Sequence, residues 1–146
     1  MEVSMYADYG FRVMMYLALN THKLVQISMI SDAYGVSEHH LIKVVQRLTK
    51  LGYVQAVRGR NGGVRLAMAP EKINLGKVFR QMEPSLRLLE CFDAATNTCP
   101  IVSACSLHQV FGEALDAYFK VLDQRSLASV LVKKRPLRQI LAIESD

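Results

Sequence analysis

The sequence predicts a mainly α-helical fold: a winged helix-turn-helix, a cysteine-bearing loop and a long C-terminal dimerisation helix. Three observations predict it: helical apolar spacing in the first 51 residues, a glycine-rich turn between two short strand patterns, and an apolar stripe beginning at Leu107. The length of 146 residues, 51% of them hydrophobic, suits one domain with an appended element. We divide it into residues 1–83 (winged helix-turn-helix), 84–106 (cysteine loop), 107–135 (dimerisation helix) and 136–146 (tail).

The first three helices form the predicted helix-turn-helix. The first begins near Asp8, a candidate N-cap, and carries apolar residues at spacings of three and four. The second covers residues 27–34 and ends at Gly35. Ser37 can cap the third, whose apolar stripe faces the core and whose other side is polar and mostly basic. Its stripe consists of Leu41, Val44, Val45, Leu48 and Leu51.

A hairpin follows these helices. Strand patterns over residues 53–57 and 64–68 flank the loop 58–63, which contains three glycines and two arginines. Glycine allows a tight bend and a close approach to another backbone. Three helices followed by such a hairpin are typical of a winged helix-turn-helix. A short helix over residues 75–82 then stops before Pro84.

Basic charge is concentrated in one segment. The net charge is +5, and residues 37–65 alone hold six Lys or Arg against one Glu, a surplus of +5. A localised surplus on a helix and a wing indicates a polyanion partner, and we predict double-stranded DNA. The operator is expected to be palindromic, because the dimer predicted from the last helix places two winged heads.

The predicted DNA contacts divide by element. The start of the third helix reaches base edges in the major groove, its later cations are placed for phosphates, and the hairpin tip suits a narrow minor groove. The base-edge candidates are Ser37, Glu38, His39, His40 and Lys43; the phosphate candidates are Arg47 and Lys50; the wing candidates are Arg58, Arg60 and Asn61.

Three cysteines, Cys91, Cys99 and Cys105, lie within fifteen residues. They do not form the Cys-x2-Cys pair of zinc knuckles, and their wider spacing suits a larger group such as an iron-sulfur cluster. Soft thiolate ligands select iron-sulfur clusters, zinc or copper(I). Three thiolates leave a 4Fe cluster one ligand short. Asp8 and His108 are the two candidates for the fourth ligand.

The chain is expected to be cytoplasmic and to have no membrane partner. It contains no apolar stretch long enough to span a bilayer, and Glu2 and Asp8 replace the basic start of a signal peptide. An enzyme or electron carrier is the alternative of a different class. We expect no enzyme, because the sequence has no nucleotide-binding glycine loop or nucleophile–base pair.

The chain contains several distinctive motifs. They are the segments 7–12 (ADYGFR), 34–37 (YGVS), 51–54 (LGYV) and 58–66 (RGRNGGVRL), then the cysteine triplet, Leu122-Asp123 and Leu127-Ala128. Together they resemble the Rrf2 family of winged-helix transcription regulators, over nearly the whole chain. The resemblance is greatest to nitric-oxide-sensing members, because of the segments 89–93 (LECFD) and 97–101 (NTCPI) and the early Asp8.

The resemblance implies a homodimeric repressor that binds a 4Fe-4S cluster through its three cysteines. Asp8 of the partner subunit would supply the fourth ligand, and nitric oxide would attack the cluster and release DNA. Residues 105–108 (CSLH) also resemble the Cys-x2-His of members that control iron-sulfur homeostasis, in which the histidine holds a 2Fe-2S cluster. A 2Fe-2S regulator of that kind, responding to cluster supply or redox stress, is therefore the alternative. A switch that uses the cysteines alone is a further possibility.

The last element predicted is a helix from Leu107 to about Val132, roughly 39 Å long at 1.5 Å per residue. Its apolar stripe is too long for one small domain to cover, so we predict a symmetric dimer. The predicted seam consists of Phe111, Leu115, Tyr118 and Leu122. An intramolecular hairpin against the first helix is the alternative. Pro136 is expected to terminate the helical region.

Overall fold

The computed structural model describes residues 3–143. Glu2, used in the signal-peptide argument, and residues 144–146 of the predicted tail lie outside the described residues. The described elements are, in order, α1 (Met5–Leu19), α2 (Ile27–Tyr34), α3 (Glu38–Lys50), β1 (Val54–Val57), β2 (Gly63–Leu66), α4 (Leu75–Met82), α5 (Ser106–Asp123) and α6 (Lys134–Ile140), joined by loops and short 3-10 turns. This order confirms the mainly α-helical winged helix-turn-helix.

Helix α1 begins earlier than the sequence indicated. Ser4 is its N-cap, and the Ser4 hydroxyl oxygen accepts a hydrogen bond from the amide of Ala7 at 3.2 Å. The expected cap role of Asp8 is therefore wrong. Asp8 lies one turn inside the helix, where its carboxylate faces Arg12 four residues later.

The helix-turn-helix follows the predicted pattern. Helix α2 ends at Gly35, whose φ of +62° is left-handed backbone that favours glycine. Helix α3 buries Leu41, Val44, Val45 and Leu48, four of the five predicted stripe residues. Ser37 stands at the N-cap position, but its side chain makes no capping hydrogen bond. The hydroxyl of Ser37 thus stays available on the exposed side of the helix.

The wing is an antiparallel hairpin with a third, short partner. Val54 pairs with Leu66 and Val57 with Gly63, so the return strand starts one residue before the predicted one. Val25, in the α1–α2 loop, exchanges two backbone hydrogen bonds of 2.9 Å with Val64. A Cβ on Gly63 would lie 2.8 Å from the carbonyl oxygen of Val25, so only glycine permits this approach.

The C-terminal region departs most from prediction. Helix α5 ends at Asp123 and does not continue to about Val132. Beyond it the backbone pairs with the segment before α4: the amide of Leu75 donates to the carbonyl of Arg125, and that of Leu127 to the carbonyl of Ile73. These backbone hydrogen bonds could not form if α5 continued as a helix through residues 125–127.

The described part of the predicted tail is folded against the winged helix-turn-helix. Pro136 lies in the first turn of α6 and does not end the helical region, because a first-turn residue needs no intrahelical amide hydrogen bond. Leu141 and Ile143 join the same core as α1 and α3. Within residues 3–143, the helices are too short or too polar to cross a membrane.

Candidate nucleic-acid interface and cysteine loop

The start of α3 presents the predicted base-reading side chains to solvent. Ser37, Glu38, His39, His40 and Lys43 are all exposed, and the His39 and His40 rings lie 6.3 Å apart. Lys50, near the other end of α3, is exposed as well. The backbone carbonyl of Lys43 accepts a hydrogen bond from the Tyr6 hydroxyl at 3.1 Å, which ties the exposed turn to α1. The hydrogen bond from Tyr6 therefore helps to fix the position of the exposed side chains at the start of α3.

Arg47 differs from the other predicted phosphate candidate. Its side chain is half-buried, and its Nη2 donates to the backbone carbonyl of Gln81 in α4 at 3.2 Å. The guanidinium thus holds α3 against α4. The hydroxyl of Tyr53 donates to the side chain of the same Gln81, so this glutamine joins three parts of the chain.

The wing tip carries its three predicted contact residues outward. Arg58, Arg60 and Asn61 are exposed around a turn that the amide of Gly62 closes on the carbonyl of Gly59 at 2.9 Å. The carbonyl of Gly62 accepts a hydrogen bond from Gln26 at the start of α2. The tip is therefore fixed to the helix-turn-helix.

One basic residue of the wing was not among the predicted contacts. Arg65 is exposed on β2, and its Nε donates to the Gln55 side chain on β1 at 3.0 Å. Its alternation with the buried Val64 was the sequence signal that could have identified it.

The cysteine loop brings one predicted pair together. The Nδ1 atom of His108 lies 3.3 Å from Sγ of Cys91, and the His108 ring stacks at a tilt on Phe92, 4.9 Å between centroids. All three cysteines are half-buried free thiols. Among residues 3–143, no three His, Cys, Asp or Glu side chains converge as a metal site, so Cys99, Cys105 and Asp8 are not assembled with Cys91 in one chain.

Acidic side chains shape the loop around the cysteines. Oε1 of Glu90 accepts hydrogen bonds of 2.6 Å from the hydroxyl and the amide of Thr98, and these bonds, the hydroxyl first, lower the pKa of Glu90. The hydroxyl of Thr96 donates to Asp93 and lowers its pKa in the same way. The amide of Cys99 donates to Oδ1 of Asn97 at 3.0 Å. The loop is therefore held by hydrogen bonds that do not involve its thiols.

The donor set fits a soft metal centre. Three unpaired thiols on one loop, each partly open to solvent, are the ligands that iron-sulfur clusters take. The imidazole beside Cys91 is a fourth donor of suitable chemistry.

Asp8 lies on α1, in a different environment. Its Oδ2 pairs with Nη2 of Arg12 at 2.6 Å, and the Arg12 guanidinium also lies over the rings of Tyr9 and Tyr34. Asp8 lines an apolar groove of about 380 Å³ together with Phe79 of α4 and Leu122 of α5. Its side chain is 41% exposed, so the carboxylate is accessible to another molecule.

Helix α5 is poorly covered by its own chain. Phe119 is its one buried residue, and its main contact is with α4, not with α1 as the intramolecular alternative required. Of the predicted seam, Phe111 is exposed whereas Leu115, Tyr118 and Leu122 are half-buried, and Tyr118 packs edge-on against Phe79. The most exposed apolar residues of α5 are Leu107, Val110 and Val121.

Comparison with known proteins gives the family. A family profile described as "Rrf2: Iron-dependent Transcriptional regulator" matches residues 3–133, nearly the whole chain. The chain belongs to the Rrf2 family. The match spans the winged helix-turn-helix, the cysteine loop and α5, so it covers both parts of the candidate site.

Individual Rrf2 relatives agree over their full lengths. The chain is 44% identical over 143 residues to the HTH-type transcriptional regulator NsrR of Bacillus licheniformis, covering 97% of this chain and 100% of the relative. It is 42% identical over 145 residues to NsrR of Bacillus subtilis, covering 99% of both chains.

Solved structures support the Rrf2 fold. The structure titled "T. potens IscR" matches with a TM-score of 0.74 and 26% identity, covering 100% of this chain and 93% of the other. CymR, the global cysteine regulator of B. subtilis, matches with a TM-score of 0.71 and 24% identity over 89% of this chain and 95% of the other. This Rrf2 protein is therefore a DNA-binding, NsrR-like transcriptional regulator and not an enzyme.

Two joints of this Rrf2 protein had no sequence signal. Besides the Arg47–Gln81 contact, Arg80 of α4 forms a two-pronged ion pair with Asp123 of α5, at 2.6 and 2.9 Å, and stacks over Phe119. Hydrogen bonding to Arg80 lowers the pKa of Asp123. The local sequence around Gln81 and Arg80 does not predict either contact, because their partners are 34 and 43 residues away along the chain.

Proposed function

We propose that this regulator is a homodimeric, cytoplasmic repressor whose operator affinity depends on an iron-sulfur cluster, a 4Fe-4S cluster that responds to nitric oxide. The single observation that carries the proposal is the loop of three free, accessible cysteines immediately before an uncovered apolar helix, in a chain 44% identical to NsrR. Nitric oxide is proposed as the signal because the motifs of the chain resemble those of nitric-oxide-sensing members of the family.

The proposed ligands are Cys91, Cys99, Cys105 and Asp8 of the partner subunit. Among residues 3–143, Asp8 is not grouped with the cysteines, and the proposal therefore takes it from a second chain. The Asp8 carboxylate is accessible, and release from Arg12 would free both of its oxygens. An oxygen ligand to iron is more exchangeable than a fourth thiolate, so one iron would stay open to a small diatomic gas.

Helix α4 is the proposed connection between the cysteine loop and the winged helix-turn-helix, which we call the reading head. Its last residue, Met82, is buried in the core, and the chain continues through Pro84 into the cysteine loop. Gln81 of α4 holds Arg47 of the recognition helix, and Glu83 accepts a hydrogen bond from the amide of Ser4 at the start of α1 at 3.1 Å. A displacement of the loop that moves residues 81–83 would therefore shift α3 and α1 together.

The dimer converts a small shift into a large change in affinity. Two winged heads must meet half-sites about 34 to 36 Å apart, and a rotation of one head breaks that match. The uncovered face of α5 supplies the proposed interface. If α5 is the interface, a change in the cysteine loop of either subunit alters the relative position of the two winged helix-turn-helix units.

One observation favours a second candidate. His108 lies 3.3 Å from Cys91 in the same chain, whereas Asp8 is engaged with Arg12. A histidine ligand would suit a 2Fe-2S cluster and a role in iron-sulfur homeostasis or redox stress. The two candidates differ in the fourth ligand and can be separated by variants.

The test is anaerobic purification with iron and sulfide analysis, followed by nitric oxide titration with absorbance and operator binding measured together. The proposal expects about four irons per chain, and loss of DNA binding in step with loss of the cluster absorbance. Asp8→Ala should alter the cluster spectrum while His108→Ala leaves it unchanged. The reverse result, with two irons per chain, would establish the second candidate.

Cysteine variants complete this test. Serine at position 91, 99 or 105 should abolish cluster retention without unfolding, because the core of the winged helix-turn-helix contains none of the three. A serine variant with a full cluster removes that residue from the ligand set. If iron-free protein binds DNA normally and responds to peroxide, a switch using the cysteines alone replaces the proposal.

A further inference from the structure

The C-terminal segment carries a second basic surplus that the charge of the whole C-terminal part conceals. Residues 124–146 contain five Lys or Arg and two acidic residues, Glu144 and Asp146, a surplus of +3. Three of these cations are consecutive and exposed: Lys133, Lys134 and Arg135, which we call the α6 basic patch. Residues 66–123 hide it in the sequence, because they hold five basic and seven acidic residues.

The α6 basic patch does not serve the stability of its own helix. Lys133 is the N-cap of α6 and makes no capping hydrogen bond, and Lys134 and Arg135 open its first turn. Cations at a helix N-terminus face the positive end of the helix dipole, which is unfavourable. Among residues 3–143, none of the three side chains has an ion-pair partner. Three unpaired like charges at such a position suit an external anion.

The fold anchors α6 to the segment that leads from α1 to the wing. Arg138 of α6 donates two hydrogen bonds, of 3.1 and 2.9 Å, to the carbonyl of Leu19 at the end of α1. Six residues further along the chain, Val25 pairs with Val64 of the wing. A chain of six residues spans at most about 21 Å, so the α6 anchor and the wing base lie within that distance.

The buried residues after α6 fix its position. Leu141 and Ile143 are both 7% exposed and belong to the core of the DNA-binding module. The patch therefore moves with the winged helix-turn-helix as one body. Duplex DNA carries a dense row of charges along its axis, so it extends well beyond the groove that the wing contacts and offers phosphates to cations further along the module.

We propose that the α6 basic patch binds the phosphate backbone of the DNA held by the wing, as a second, sequence-independent contact surface. The inference rests on the DNA binding of this regulator and adds to the contacts of α3 and the wing. It concerns affinity and salt dependence, and leaves base recognition to α3. The partner is the duplex itself, since phosphates are its accessible anions.

The test compares two triple variants of the full chain. One replaces Lys133, Lys134 and Arg135 by alanine; the control replaces Lys72, Lys77 and Lys120, which are also exposed and remove the same charge. Fluorescence anisotropy with a mixed-sequence duplex of about 40 base pairs, over a series of salt concentrations, gives the slope of log affinity against log salt. Circular dichroism and sedimentation verify that both variants keep the fold and oligomeric state of the wild type.

The patch variant should bind more weakly than wild type, with a slope shallower by about 0.9 for each phosphate that the patch neutralises. The control should retain the wild-type slope, and the charge-preserving variant Lys133→Arg/Lys134→Arg/Arg135→Lys should do the same. Equal slopes for the patch variant and the control would overturn the inference, and would leave the patch to an acidic protein partner. Absence of DNA binding by the wild type would instead refute the DNA-binding function itself.

Discussion

Arg47 of the recognition helix and Gln81 of α4 are joined by a hydrogen bond of 3.2 Å from Nη2 to the backbone carbonyl. The bond crosses 34 residues of sequence and fixes the recognition helix to the helix that leads into the cysteine loop. An arginine on a basic helix face would ordinarily be assigned to DNA phosphates. Here its guanidinium is half-buried against protein, so its first effect is on the position of α3.

Arg47 and Lys50 should therefore respond differently to truncation. Arg47→Ala should destabilise the protein by about 1 kcal/mol, because a partly buried carbonyl loses its partner. Lys50→Ala should leave stability unchanged and reduce the salt dependence of DNA binding. Thermal unfolding and binding titrations on both variants measure the contrast. If Arg47→Ala flattened the salt dependence as much as Lys50→Ala, Arg47 would be a phosphate contact after all.

The wing makes a separate prediction. Arg60 is exposed at the hairpin tip, where it can add both charge and minor-groove contact, so Arg60→Ala should weaken operator binding by about 1 to 3 kcal/mol. Lys120→Ala, which removes an exposed charge on α5, is the matched control and should have little effect. Unchanged affinity of the Arg60 variant at moderate salt would argue against wing insertion.

The local elements of this fold were predictable, and its long-range joints were not. Helix α4 was predicted at its observed bounds of Leu75–Met82, and the apolar stripe of α3 faces the core as expected, since both follow from local periodicity. The cap of α1 was misplaced because Ser4 and Asp8 are both good caps. The end of α5 was misplaced because backbone pairing with residues 73–75 stops the helix, and sequence periodicity carries no such information.

The joint between α4 and α5 contains a testable steric requirement. A Cβ on Gly76 would clash with Oδ1 of Asp123, so Gly76→Ala must displace the carboxylate from Arg80. We expect a lower melting temperature than wild type. Gly112→Ala on α5 is the matched control: nothing lies within 4 Å of its Cβ, and it should stabilise the helix by about 0.5 to 1 kcal/mol.

The destabilisation by Gly76→Ala should also depend on pH. Pairing with Arg80 lowers the folded-state pKa of Asp123, so its stabilisation is present above the ordinary pKa of 3.8 and is lost as pH falls through the lower folded value. The difference in melting temperature between wild type and Gly76→Ala should therefore shrink in acid below that range. A difference that is independent of pH would assign the destabilisation to packing alone.

The exposed face of α5 refines the predicted dimer seam. Leu122 packs on the core of its own chain, and Leu115, seven residues earlier, lies on the same side of the helix. Leu107, Phe111, Ala114 and Val121 are exposed, with Val110 exposed beside them, and the half-buried Tyr118 completes a spacing of four and three that is typical of a coiled-coil seam. The proposed interface therefore keeps Phe111 and Tyr118 and replaces the two leucines with Ala114 and Val121.

Val121→Lys tests this interface without disturbing the monomer. Val121 is 60% exposed, so a lysine there has room in one chain but places a charge in the seam of a dimer. Sedimentation should show a folded monomer that has lost operator binding and, because Asp8 of the partner subunit is then absent, the cluster. Gln109→Lys, exposed on the opposite side of α5, adds the same charge and should remain dimeric. A dimeric Val121→Lys variant that retains its cluster would exclude α5 as the interface.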